Sequence, residues 1–121
     1  MAIDPSFRDD VTFRLAPMGP VAARRMFGGA GVFLDGLMFG LIVDDALYLK
    51  ADGETVPAFE AAGSEAFSYM RAGVPATLGY WRVPEEVWDD GDALLRWSGD
   101  ALGVARRAVA AKRSKKRRRA S

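Results

Sequence analysis

The chain has 121 residues, half of them apolar, with 17 cations against 16 acids and neither Cys nor His. That is the length of one domain, able to bury about two-thirds of its unfolded surface without covalent staples. Disulfides, zinc fingers, thiol nucleophiles, Ser-His-Asp triads and imidazole acid–base chemistry are excluded together.

The opening MAIDPSFRDD carries acid where a signal peptide needs a basic start and an apolar run. It reads instead as the start of a helix. Asp4 can cap, Pro5 takes the first helical position, and Phe7, Val11 and Leu15 recur at helical spacing until Pro17, Gly19 and Pro20 end it. From Val21 to Lys50 the period becomes strand-like. Arg24-Arg25-Met26-Phe27 runs into Gly28-Gly29, and Val32-Phe33-Leu34 meets Asp35-Gly36, a dipeptide suited to a two-residue hairpin turn. Leu37 to Val43 reads as a buried strand, Asp44-Asp45 as a turn, and Ala46 to Lys50 as a third hairpin arm, which makes an antiparallel meander.

Asp52 or Thr55 then starts a short helix through Val56, Phe59 and Ala62, closed by Gly63. Ala66 to Met70 and Thr77 to Val83 read as strands separated by Gly73 and Pro75. Pro84 restarts helix, with Glu85 and Glu86 suited to its first turn. After Asp90-Gly91-Asp92 a long helix is predicted, carrying Leu94, Trp97, Ala101, Ala105 and Ala108 on one stripe with Leu95, Leu102 and Val109 beside it. Gly99 and Gly103 share a face of that helix, where another backbone could approach. With mean hydropathy of −0.04 and no apolar run near the ~20 residues of a membrane span, a cytoplasmic domain without membrane contact is expected. The order of elements predicts an α+β fold in two layers: an antiparallel meander sheet with helices packed on one face.

The near-neutral charge conceals a division. Residues 1–105 hold eight cations and all sixteen acids, a net of −8, whereas residues 106–121 hold nine cations and no acid. Lys112, Arg113, Lys115, Lys116, Arg117, Arg118 and Arg119 fill seven of eight consecutive positions. Such a run neutralises phosphates without reading sequence, which makes these seven the candidate nucleic-acid-binding residues. A solvated tail, a tail lying on its own acidic body, and a tail bound to an acidic protein are the competing readings. The expected division is a domain over residues 1–111 and a basic tail over 112–121.

Other constellations in the sequence imitate functional motifs. Gly29-Ala30-Gly31-Val32-Phe33-Leu34 imitates a phosphate loop but lacks its third glycine, and a strand follows instead of a helix N-terminus. A tight turn between strands explains it better. The acid pairs Asp44-Asp45, Glu85-Glu86 and Asp89-Asp90 with Asp92 lie at turns and helix starts, and the last group lacks a calcium-loop ligand series. No catalytic residue, metal site or cofactor is therefore expected. Arg24, Arg25, Tyr48, Lys50, Tyr80 and Arg82 form a candidate partner patch. Period-two alternation puts Tyr48 and Lys50 opposite Leu47 and Leu49, and Tyr80 with Arg82 opposite Trp81, turning all four outward. Packing under the helices and ion pairing with surplus acids are the alternative roles for these side chains.

The segment RRMFGGAGVFLDGLMFGLIVDDALYLKAD, followed by AFEAAGSEAFSY and YWRVPEEVWDDGDALLRW, resembles the N-terminal domain of the TfoX/Sxy family, named for bacterial regulators of natural competence. The resemblance runs from about Phe7 to Ala111. It rests on Arg24-Arg25-Met26-Phe27-Gly28-Gly29, Tyr48-Leu49-Lys50 and Gly63-Ser64-Glu65. It implies the same two-layer fold and a non-enzymatic regulatory module that docks a protein partner, such as a component of the transcription machinery. Longer members carry a second, helical domain where this chain has its basic run, so a stand-alone N-terminal domain is expected. A small-ligand-binding domain using a groove between sheet and helices is the alternative function, and a homodimer through Gly99, Gly103 or an edge strand is a further expectation.

Overall fold

The structure is a computed structural model that describes residues 5–26 and 28–120, with side chains over residues 6–26 and 28–117. Asp4, Phe27 and the side chains of Arg118 and Arg119 lie outside the described residues.

Helix α1 (Pro5–Leu15) places Val11 and Leu15 at full burial, with Phe7 packed at the margin of the same core. Pro17 cannot continue the hydrogen-bond ladder, and the chain tightens into a 3₁₀ turn over Ala16–Met18 before Gly19 turns it away. Six strands follow: β1 (Ala22–Met26), β2 (Gly29–Leu34), β3 (Leu37–Val43), β4 (Ala46–Lys50), β5 (Ala66–Arg71) and β6 (Val74–Arg82). They form one fully antiparallel sheet in the order β1-β2-β3-β4-β6-β5, leaving β1 and β5 at the edges.

Among the described residues, three two-residue turns set the register of this sheet. Asp35-Gly36, Asp44-Asp45 and Ala72-Gly73 all have positive φ at both positions, the pairing whose twist matches that of the flanking strands. The sequence signals the first two through Asp and Gly. Ala72, at φ 53, has neither a short polar side chain nor a missing Cβ to make that conformation easy.

A bulge shapes the centre of the sheet. Val32 pairs with Gly40 but Phe33 pairs with Met38, so Phe39 is an extra residue on β3. Phe39 and Ile42 can therefore both enter the core on the helix side, although they are three positions apart. The close approach requires Gly40, where a Cβ would stand 3.1 Å from that of Val32. Gly29 is tighter still: a Cβ there would lie 2.4 Å from the backbone oxygen of Ile42. Strand packing, not anion binding, accounts for this glycine.

The second layer consists of helices α2 (Val56–Ala61), α3 (Glu85–Trp88) and α4 (Gly91–Ala120), together with α1. In α2, Phe59 is buried against Trp97 edge-on at 4.9 Å and beside Trp81 at 6.0 Å. Gly63 at φ 74 ends that helix. Its N–H donates to the Glu60 carbonyl and the next N–H, of Ser64, donates to Phe59, which satisfies the orphan carbonyls. Asp90 caps α4, its Oδ1 accepting from the backbone N–H groups of Asp92 and Ala93.

Helix α4 lies across β3 and β4, flanked by α1 and α3, and buries Leu94, Ala101, Leu102 and Ala105 against the sheet. Helices cover one face only, as the alternation of residues predicts. Ser98 sits in the middle of the contact, fully buried, and among the described residues its hydroxyl has no hydrogen-bond partner. Of the two inner glycines of α4, Gly99 faces open space and Gly103 meets Arg107 of its own helix, so neither packs a second backbone among the described residues.

Two substitutions test this account. Gly29→Ala drives a methyl group into backbone that cannot yield locally, and should cost about 2–3 kcal/mol in denaturant unfolding. Ala72→Asn places an Asn-Gly pair in the exposed β5–β6 turn and should raise stability by about 0.5–1 kcal/mol by the same measurement.

Candidate functional site

The face of the sheet turned away from the helices is the feature with the composition of a site. Register assigns its residues: Arg24 lies opposite Gly31, Leu41 opposite Tyr48, Tyr48 opposite Arg82 and Lys50 opposite Tyr80. Every strand contributes to one cleft of about 950 Å³, lined by Met26, Met38, Leu41, Val43, Phe67, Tyr69 and Leu78, with Lys50, Arg71 and Tyr80. Met26 is on one edge strand and Tyr69 on the other, so the sheet curls enough for both edges to border the same space.

Two glycines permit this shape. At Gly31 a Cβ would lie 2.8 Å from the Phe33 ring and 2.9 Å from the Met26 methyl, so three side chains, including Met38, converge over a bare backbone floor. Gly79, at φ 75, interrupts β6. Below it only residues 80–82 pair with β4, while the rest of the β5–β6 hairpin turns its Phe67, Tyr69 and Leu78 toward the cleft. The aromatic groups form a continuous row: Phe67 meets Tyr48 edge-on at 5.3 Å and stacks with Tyr69 at 6.3 Å.

The charge on this face runs against that of the body. None of the six strands contains an Asp or Glu, yet they carry Arg24, Arg25, Lys50, Arg71 and Arg82. Register places Arg24, Lys50, Arg71 and Arg82 on the open face. Among the described residues none of the four makes an ion pair. Arg24 instead lies over the Phe33 ring at 5.3 Å and Lys50 over the Tyr80 ring at 5.3 Å, contacts that leave their charge available. Arg82 sits at the end of the face, where it also borders a smaller cleft of about 440 Å³ with Asp45, Glu85 and Trp88.

The candidate patch read from the sequence is thus rearranged at two positions. Arg25 pairs with Ala30, on the opposite face from Arg24, and is exposed on the edge strand. Tyr80 faces the predicted side but is only 5% exposed, because the curl of the sheet covers it. Burial correspondingly pushes its phenol above its ordinary pKa. Tyr48 and Lys50 are half-buried. Phe67, Tyr69 and Arg71 escaped the sequence reading, although they alternate with Ser68 and Met70 as one face of a strand should. The missing information was which strand β5 pairs with.

The basic segment also divides. Arg107 bonds Asp52 at 2.9 Å and Glu54 at 3.2 Å, and Arg106 lies 3.8 Å from Asp35, so both hold α4 to the loops of the sheet. Desolvation pushes the Asp52 carboxyl up, but the Arg107 hydrogen bond and the neighbouring backbone N–H groups outweigh it and hold it below its ordinary value. Lys112, Arg113, Lys115, Lys116 and Arg117 are exposed on a helix that runs unbroken through residue 111. Among the described residues no ion pair returns them to the acidic body. No group of three metal-ligating residues occurs among the described residues, and Asp90 is engaged as a helix cap. No helix among them is long and apolar enough to cross a membrane.

The chain is 34% identical over 102 residues to DNA transformation protein TfoX1 of Aliivibrio fischeri, covering 84% of this chain and 49% of that protein. It is 30% identical over 91 residues to protein Sxy of Escherichia coli, covering 75% of this chain and 44% of that protein. The chain thus spans about half the length of these curated relatives. The sequence profile of the TfoX N-terminal domain matches residues 14–105, which include all six strands and the sheet-packed part of α4. By that match, and by the identity to both relatives, the chain belongs to the TfoX N-terminal domain family.

Proposed function

We propose that this chain is a non-enzymatic, cytoplasmic regulatory module of the competence-regulator type, which docks a protein partner through its body and holds nucleic acid without sequence preference through the basic end of α4. Its relatives are a DNA transformation protein and Sxy, which supports the regulatory reading. The observation that carries the nucleic-acid part is the continuation of α4 to Ala120 with Lys112, Arg113, Lys115, Lys116 and Arg117 exposed. At 1.5 Å per residue, the nine residues after Ala111 extend the helix by about 13 Å. A helix of like charges offers little apolar surface to the fold, and a polyanion that takes up the charge stabilises it.

Residues 1–105 oppose the same polyanion with their net charge of −8, so the affinity is modest and short-ranged. Arg106 and Arg107 are occupied by Asp35, Asp52 and Glu54, which leaves residues 112–119 to do the binding. Neutralising about 4–6 phosphates gives a slope of about −3 to −5 for log affinity against log salt.

Deleting residues 112–121 should abolish binding to a random-sequence duplex at low salt while the unfolding midpoint stays within experimental error. Truncated protein that binds as well as the intact chain would overturn the nucleic-acid reading. The partner-docking reading is tested separately, by capturing interacting proteins from nuclease-treated cytoplasm with the truncated chain.

A further inference from the structure

We propose that the open cleft of the sheet is a binding site for a single-chain acyl anion, an apolar tail carrying one carboxylate. This proposal does not depend on the nucleic-acid reading, since it concerns a different surface and none of residues 112–121.

Three observations converge on that chemistry. The first is the lining: Met26, Met38, Leu41, Val43 and Leu78 give the cleft an aliphatic floor, and its volume of about 950 Å³ lies in the range of small-molecule sites. Unbranched Met side chains over Gly31 adapt to a flexible chain more readily than branched ones would. The second is the charge. Lys50 and Arg71 line the cleft, Arg24 lies on the same face, and no strand supplies an acid to neutralise them, in a body whose acids outnumber its cations two to one. Unpaired cations beside an apolar floor favour a ligand with both characters and disfavour a neutral or cationic one. The third is openness at the hairpin: Leu78 is 49% exposed at the mouth, where an entering chain would cover it. An aromatic platform for single-stranded nucleic acid fits less well, because Tyr48, Phe67 and Tyr69 already pack against one another.

The test is titration of the intact chain with dodecanoate below its micelle concentration, read by calorimetry and by the methyl signals of labelled methionine. Met26 and Met38 should shift while Met18, on the helix side, stays in place. Decanoate should bind roughly tenfold more weakly, as expected for two fewer buried methylenes. Dodecyltrimethylammonium should bind at least tenfold more weakly, and Lys50→Gln with Arg71→Gln should weaken dodecanoate about tenfold. Arg71 is exposed and Lys50 half-buried at the edge of the cleft, and unchanged circular dichroism would verify the fold.

Equal binding of the cationic amphiphile, or an unmoved Met38 signal, would overturn the proposal. So would binding of anionic phospholipid vesicles with none of monomeric dodecanoate, which would make the face a membrane surface. Displacement of dodecanoate from Met38 by an acidic peptide or a single-stranded oligonucleotide at far lower concentration would also overturn it, in favour of that macromolecule.

Discussion

Everything in this fold depends on how one long helix is seated. α4 contributes Leu94, Ala101, Leu102 and Ala105 to a core completed by Phe39, Ile42, Leu47 and Leu49 from the two central strands. The small residues at positions 101 and 105 let the helix lie close to the sheet, and the β3 bulge turns Phe39 inward to fill what they leave. The buried Ser98 hydroxyl weakens this seat, since an unpaired polar group inside a core carries a desolvation cost. The ion pairs of Arg106 and Arg107 then fix where α4 passes the loops of the sheet. Exposed pairs of that kind orient an element more than they stabilise it.

Seating all the helices on one side has a consequence for the other. A six-stranded sheet covered once must either face water with polar residues or bind something. Here the open face is aliphatic and aromatic in its middle and cationic at its margins, and the curl permitted by Gly31 and Gly79 gathers these groups around one space. The acids are confined to helices, turns and loops, where they cap, close hairpins and keep the body anionic. Charge separated in this way produces two surfaces of positive sign on an otherwise negative object: the sheet face and the projecting end of α4.

Much of this is legible in the amino-acid sequence. The strand-like pattern marks all six strands, although β6 starts at Val74 with Pro75 inside it and not at Thr77, and Asp35-Gly36 and Asp44-Asp45 announce their turns because their chemistry eases positive φ. Pro5, Pro17, Gly63 and Asp90-Gly91 marked helix ends for equally local reasons. The Ala72-Gly73 turn carried a weaker signal, since alanine has no preference for φ 53. The sequence reading placed the alternative ligand groove between sheet and helices, whereas the large cleft lies on the other side. Its lining draws on all six strands, and which edges meet depends on twist and on the bulges at Phe39 and Gly79, which no local pattern reveals. The burial of Tyr80 has the same origin: alternation assigns its face correctly but says nothing about curvature.

The most direct test of the account is the electrostatic sign of the open face. Paramagnetic relaxation of the Met26 and Met38 methyl groups, measured with anionic and cationic nitroxides of equal size at low salt, reads it without any assumed ligand. The anionic probe should relax both methyl groups more strongly, despite the net negative charge of residues 1–105, and the difference should vanish at high salt. Stronger relaxation by the cationic probe, or protection of both methyl groups from either probe, would contradict it.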